Sequence, residues 1–274
     1  MSPLDWKQVT ERLTLRDLAI LDDLEQFRLM TSRQLQRLHL PVGEGQHATV
    51  SAATRSTLRV LGKLEAFGVI SRLSRRIGGV RSGSQGIVWQ LTSTGSRVQQ
   101  ERWGHHGRRR YAEPSTLFVA HTLTVAELGV RLKELERAGR LEVVQLQTEP
   151  DNWRTFTGKH TQLATLKPDL SAITAAGDFE DHWFIEADRA TEHLPKILAK
   201  CGLYAAYAKT GLEQSVRGVF PRVLWLVPDQ PRARAIQGAI DGDKTLPVGL
   251  FLVRTDEQFE AAVAPDEGLD HGLP

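Results

Sequence analysis

A two-domain α/β protein is what these 274 residues predict. Size is the first reason: a chain of this length that is 41% hydrophobic has more apolar surface than one modest core requires, and chains of this size tend to divide. Charge is the second. Residues 1–111 carry 18 Lys and Arg against 9 Asp and Glu, a net +9, and the rest carries 17 against 24, a net −7, which returns the whole-chain +2. Rhythm is the third: apolar residues recur at helical spacing through the first 70 or so positions, whereas beyond about residue 140 short apolar runs bounded by turn residues alternate with helical stretches. The expected boundaries are a first domain over 1–102, a basic linker over 103–116, a second domain over 117–264, and a disordered tail over 265–274. A basic half joined to an acidic half fits a nucleic-acid-binding module attached to something else.

Composition also excludes several classes. No run of about 18 apolar residues exists to cross a bilayer, and Met1 to Asp5 is not the basic start of a secretory leader. A cytoplasmic protein with no membrane partner is expected. Cys201 is the sole cysteine, so no internal disulfide and no cysteine-based zinc site forms; it reads as a small packing residue.

In chain order, Leu15, Leu18, Ala19, Leu21, Leu24 and Phe27 lie near i, i+3, i+4 spacing after Thr14, an N-cap with Asp17 three positions on. A second helix starts at Thr31-Ser32, carries Leu35, Leu38 and Leu40, and stops at Pro41 and Gly43-Glu44-Gly45. A third spans Ser51 to Phe67, with Leu58, Leu61, Leu64 and Phe67 inward and Arg55, Arg59 and Lys63 at i, i+4, i+8 on another face. Gly68 ends it. Val69 to Arg76 and Ile87 to Leu91 then alternate apolar and polar residues around a glycine-rich basic loop, which predicts a β-hairpin, and Thr92 or Ser93 caps a further helix.

Three helices, a basic hairpin and another helix follow the order of a winged helix-turn-helix, and Trp89-Gln90-Leu91-Thr92-x-x-Gly95 resembles the close of the wing in bacterial DNA-binding proteins of that class. The third helix would enter a major groove with Arg55, Arg59 and Lys63, together with Thr54 or Ser56. The wing would carry Arg72, Arg75, Arg76 and Arg81 to phosphate or a minor groove. Arg108, Arg109 and Arg110 in the linker add phosphate contacts. Arginine suits this work because its planar fork binds phosphate or guanine through two hydrogen bonds. Two plainer accounts stand beside it: solvated basic faces, and a winged helix used to dock protein. The neighbouring His105 and His106 point apart in most backbones and make no metal site.

In the carboxy-terminal half, a long helix starts at His121-Thr122-Leu123 and ends at Gly139, and Leu141 to Leu146 forms a strand. Trp153 to Thr165 reads as a loop or ribbon. Lys167-Pro168-Asp169 leads into a strand, Ala176-Gly177-Asp178 turns, and His182 to Ala187 returns. A helix over about Glu192 to Lys209 carries Lys196, Lys200, Tyr204 and Tyr207. The runs Val223 to Val227 and Val248 to Val253 are continuous apolar strands with a helix, Pro231 to Ile240, between them. The order α-β-β-β-α-β-α-β predicts a mixed sheet. On a strand, residues i and i+2 share a face, so Glu186 and Asp188 are expected to project together, joined by Asp169 from the next strand, as a metal set of Asp169, Glu186 and Asp188.

A long helix, a strand, Pro168-Asp169, Glu186 on the following strand and a helix with Lys200-x-x-x-Tyr204 resemble the PD-(D/E)xK nuclease fold. The chain from about 14 to 260 resembles the replication-relaxation family of bacterial plasmids and integrative elements. The matching residues are His121 with Glu127, Lys167-Pro168-Asp169, Phe184-Ile185-Glu186-Ala187-Asp188-Arg189 with Thr191-Glu192, and Lys200 with Tyr204. That resemblance implies a role in replication, relaxation or conjugative transfer of a mobile element, with double-stranded DNA, a relaxase or replication proteins, and a second copy of the chain in a homodimer as partners. In the nuclease family a lysine sits two positions after the glutamate; here that position holds Asp188, which cannot supply positive charge. The expectation is therefore an inactive nuclease-like domain used for dimerisation or partner contact, with no cofactor. The first alternative is an Mg or Mn dependent endonuclease with Asp169, Glu186 and a migrated Lys200 as its catalytic residues. The second is a transcription regulator. Asp169, Glu186 and Asp188 otherwise form an acidic cluster tied down by Arg189, Lys196 and Lys200.

Overall fold

The computed structural model describes residues 6–43, 47–73, 86–104, 115–158 and 162–265. Arg75, Arg76 and Arg81 of the hairpin loop, His105, His106, Arg108, Arg109 and Arg110 of the linker, and the tail beyond Pro265 lie outside the described residues. The chain is a mixed helix-and-sheet protein that divides into two compact units, Met1–Val130 and Arg131–Pro274.

The first unit runs α1 (Trp6–Thr10), α2 (Leu15–Phe27), β1 (Met30–Thr31), α3 (Ser32–His39), α4 (Val50–Ala66), β2 (Ile70–Arg72), β3 (Val88–Leu91) and α5 (Ser93–Trp103), and includes most of α6 (Thr116–Arg137). Helix starts follow the sequence closely. Thr14 accepts from the Asp17 backbone while Asp17 bonds back to the Thr14 N–H, and Thr31 with Gln34 repeats this box at α3. The hairpin forms as expected: β2 and β3 are antiparallel, and β1, which the sequence did not suggest, adds on the other side of β3, giving the order β1-β3-β2. Two residues suffice because Trp89, wholly buried on β3, donates its indole N–H to Ser32 at 2.8 Å and fixes the register.

The turn from hairpin to α5 explains the Thr92-x-x-Gly95 spacing. Thr92 caps α5 by accepting from the Gly95 N–H at 3.1 Å, and its own N–H reaches the Val69 carbonyl at 3.0 Å. That draws α5 onto the hairpin so closely that a Cβ on Gly95 would lie 2.0 Å from the Val69 carbonyl oxygen. No side chain fits there.

Two inward assignments are corrected. Leu15 is 86% exposed and Leu58 44% exposed. The buried stripe of α2 runs through Asp17, Ile20, Leu21, Leu24 and Phe27, and Leu15 lies two residues from its start, roughly 200° around the helix. The stripe of α4 is Ala53, Thr57, Leu61 and Leu64; Leu58 falls about 100° off it.

The second unit begins in the last turns of α6. It continues through β4 (Glu142–Thr148), β5 (Arg154–Thr157), β6 (Leu163–Leu166), β7 (Leu170–Ala176), β8 (Phe179–Ala187), α7 (Leu194–Ala208), α8 (Leu212–Arg217), β9 (Arg222–Val227), α9 (Gln230–Gly242), β10 (Phe251–Thr255), a 3-10 turn and α10 (Phe259–Val263). The sheet order is β10-β9-β8-β7-β4, with β4, β7 and β8 an antiparallel meander and β8, β9 and β10 parallel. The stretch expected as a loop or ribbon is a separate hairpin, β5-β6. The strand expected from Val248 starts at Phe251, because Gly249 turns the chain at φ +79° and leaves Val248 in solvent. The long helix starts at Thr116 rather than His121, and α8 and α10 were not foreseen. Phe184, Ile197, Cys201, Tyr204, Val223, Trp225, Ile236 and Phe251 are among the residues packed between the sheet and its helices. Cys201 fills space there, and burial pushes its thiol up to about 12, so it is no nucleophile.

Candidate functional site

Each unit carries one surface or cluster with chemistry. In the first unit it is the outer face of α4. With Ala53, Thr57, Leu61 and Leu64 buried, the opposite side presents Ser51, Thr54, Arg55, Leu58 and Arg59, all exposed. Arg55 is held by Ser51, whose hydroxyl accepts from its guanidinium at 2.8 Å, and the Thr54 hydroxyl donates to the Val50 carbonyl at 2.8 Å and also lies 3.1 Å from the Gln36 amide oxygen. The only carboxylate on α4, Glu65, is taken up by Arg72 at 2.7 Å.

The structure separates the cations that sequence had grouped. Arg55 and Arg59 face outward together. Lys63 instead turns to the buried Asp17 and pairs with it. Burial pushes the Asp17 carboxyl up, but Lys63 and the hydrogen bonds of Thr14 outweigh this and hold it below its ordinary value. Arg72 is half-exposed, paired with Glu65 and stacked 5.1 Å over the Trp89 ring. Glu127, one of the matching residues on the long helix, accepts from Gln34 at 3.1 Å and pairs with Arg37, so it fastens α6 to α3.

In the second unit the cluster sits where β8 ends. Glu186, on the last turn of pleat, is fully buried. One of its oxygens accepts from the Tyr204 hydroxyl at 2.5 Å and the other from the Lys200 ammonium. Lys200 also stands 4.0 Å from Asp169, whose other oxygen accepts the Ala187 N–H at 2.8 Å. Lys200 and Tyr204 are one helical turn apart on α7, so both reach the same carboxylate. Burial raises the Glu186 carboxyl to about 8; Asp169 adds to the rise, while Lys200 and Tyr204 pull against it. Burial by itself would lower the Lys200 ammonium, but Glu186 and Asp169 hold it above its ordinary value. Tyr204 is pushed well above 10 by burial and the adjoining Glu186, which leaves it a donor and not a nucleophile.

Asp188 does not join this group, contrary to the strand alternation. It lies one residue beyond β8, and its carboxylate takes the Arg232 fork at 2.7 and 3.3 Å and the Ala190 N–H at 3.1 Å. Arg232 continues to the Glu192 carbonyl at 2.6 Å. Lys196 pairs with Glu192 rather than with the cluster. Sequence reasoning missed Arg232, although a signal existed. Parallel strands β8 and β9 end at the same edge, so the helix after β9 must start beside the end of β8.

A divalent ion does not fit the donors as they stand. Magnesium wants open carboxylate oxygens in octahedral array, whereas both oxygens of Glu186 and one of Asp169 already accept hydrogen bonds, and an ammonium fills the gap between the two carboxyls. Among the described residues no group of three or more His, Cys, Asp or Glu is placed to hold a metal ion.

Fold and site thus define a two-unit helix-and-sheet protein with an outward arginine face on one unit and a buried carboxylate–lysine–tyrosine cluster on the other. The chain matches the family model described as Replication-relaxation over residues 21–223 and belongs to that family. No curated protein and no solved structure matches it. Among the described residues no helix is long and apolar enough to cross a membrane.

Proposed function

We propose that this protein binds duplex DNA of a mobile element, as an accessory to its replication, relaxation or conjugative transfer, and does not cut it. On this reading the first unit is a winged helix-turn-helix: α2, α3 and α4 are its three helices, β2 and β3 its wing, and α4 the helix that enters the major groove. The observation that carries the proposal is the outer face of α4, where Arg55 and Arg59 stand exposed and the helix's one carboxylate, Glu65, is engaged elsewhere. The second unit is a PD-(D/E)xK-like domain on this reading: its order β4-β7-β8-α7-β9 after the end of α6, with an antiparallel meander followed by a parallel strand, is consistent with that fold. Its Asp169 and Glu186 are engaged internally, both by Lys200 and Glu186 also by Tyr204, which fits an architectural part that serves a homodimer or contacts replication or relaxase proteins. Duplex affinity measured by fluorescence anisotropy across a salt series tests the DNA reading. The logarithm of the binding constant should fall linearly with the logarithm of salt, by a slope of roughly −0.9 per phosphate neutralised. Failure to bind any duplex at low salt would leave α4 a solvated or protein-docking face.

A second reading, a divalent-cation-dependent endonuclease, is favoured by one observation: Lys200 lies 4.0 Å from Asp169, bonded to Glu186 and partly open to solvent, where a lysine migrated from strand to helix would have to be. Lys200 and Tyr204 would then have to give up Glu186 before an ion entered.

A further inference from the structure

We infer that α4 reads bases directly, with Leu58 seated against a thymine methyl group beside the Arg55 contact; this rests on the DNA-binding reading above. Leu58 and Val50 are aliphatic and exposed, 44% and 66%, on a helix whose buried stripe is already complete without them. A surface meant only for phosphate would gain nothing from a leucine beside its arginines. Yet Leu58 lies one helical turn from Arg55 and flanks the Arg55–Arg59 pair on the side of Ser51 and Thr54.

That mixture matches the chemistry of a major-groove floor. Guanine offers two acceptors that an arginine fork takes together, and thymine offers the one apolar group there, its C5 methyl. From Ser51 to Arg59 the helix rises about 12 Å, which covers three to four base pairs. Side chains three and four residues apart stand side by side on it, so Leu58 lies next to Arg55 and covers the base pair beside the one that Arg55 contacts. The expected site therefore contains a thymine next to a guanine, on either strand.

The test uses the full chain and the duplex recovered by selection from a randomised 20-base-pair library. It is resynthesised with uracil in place of each thymine in turn, which deletes only the methyl group. At one thymine the change should weaken wild-type binding about fourfold, the worth of one buried methyl. Leu58→Ala, at an exposed position that leaves the fold intact, should bind the thymine duplex more weakly and no longer distinguish it from the uracil duplex. Selection without a preferred sequence, insensitivity at every thymine, or discrimination that survives in Leu58→Ala would each overturn the inference. If no duplex binds at all, the DNA-binding reading itself fails and takes the inference with it.

Discussion

Replacing Arg55 and Arg59 together by alanine should lower duplex affinity by about 30-fold or more at physiological salt and flatten the salt slope by one to two. A good arginine–base pair is worth roughly 1–3 kcal/mol, and every phosphate that is no longer neutralised takes close to one from the slope. Both side chains are exposed, and Arg55 is held by a serine hydroxyl rather than a carboxylate, so the double variant should unfold at the wild-type temperature. Lys63→Ala is the control. Its ammonium serves the buried Asp17, so it should cost stability, because a carboxylate would be left buried without its cation. Its direct effect on DNA should be small. Affinity retained in Arg55→Ala/Arg59→Ala would remove α4 from the interface.

The second large effect concerns the cluster at the end of β8. Lys200→Met keeps the aliphatic stem and removes the ammonium, leaving Glu186 buried with only Tyr204 as donor. Since Glu186 is already raised from 4.5 to about 8 in the folded chain, losing Lys200 raises it further. For an acid whose folded value lies above its unfolded one, stability is fully present below the unfolded value and drains away as pH climbs through the folded one. The extra loss in Lys200→Met over wild type should therefore be slight up to about pH 7, where Glu186 is protonated in both folded proteins, and grow as pH climbs past about 8, toward about 3 kcal/mol near pH 10. Adding Glu186→Gln should restore most of the loss and abolish its pH dependence. Urea midpoints measured between about pH 5 and 10 decide it. A loss that is the same at every pH would mean Lys200 contributes packing rather than charge.

Local signals were legible in sequence wherever a short stretch fixes its own geometry. Thr14 with Asp17 announces a capped helix, Gly68 and Gly139 stop two more at positive φ, and alternation around the basic loop gives the hairpin. The Thr92-x-x-Gly95 spacing was visible as a pattern, but only the structure shows its cause, the approach of α5 to the Val69 carbonyl. Helical phase was harder: an apolar face judged from leucines alone placed Leu15 and Leu58 inward, because Asp17 and Thr57, both buried and hydrogen-bonded, define the stripes as much as leucine does. The β5-β6 hairpin and α8 are held by a non-local network. Glu213 takes Arg154 at 2.9 Å, Tyr207 at 2.6 Å and Arg217 at 3.0 Å, and although Tyr207 and Arg217 are near it in the chain, no local pattern ties it to the distant Arg154.

The site shows the same division. Asp169, Glu186, Lys200 and Tyr204 were found from order and spacing, and they do meet. Asp188 was expected with them because a strand alternates; one residue past the last strand position, that alternation gives way to whichever partner lies nearest. Arg232, brought in by the parallel crossover, is that partner.

Supercoiled plasmid incubated with the full-length protein in Mg²⁺ or Mn²⁺ puts the central claim, a grip on DNA without cleavage, to its most direct test. The plasmid should be retarded on a gel yet emerge supercoiled after the protein is digested away. Nicked or linear product that disappears in Asp169→Ala and in Glu186→Ala would contradict the account and make Lys200 part of a working nuclease.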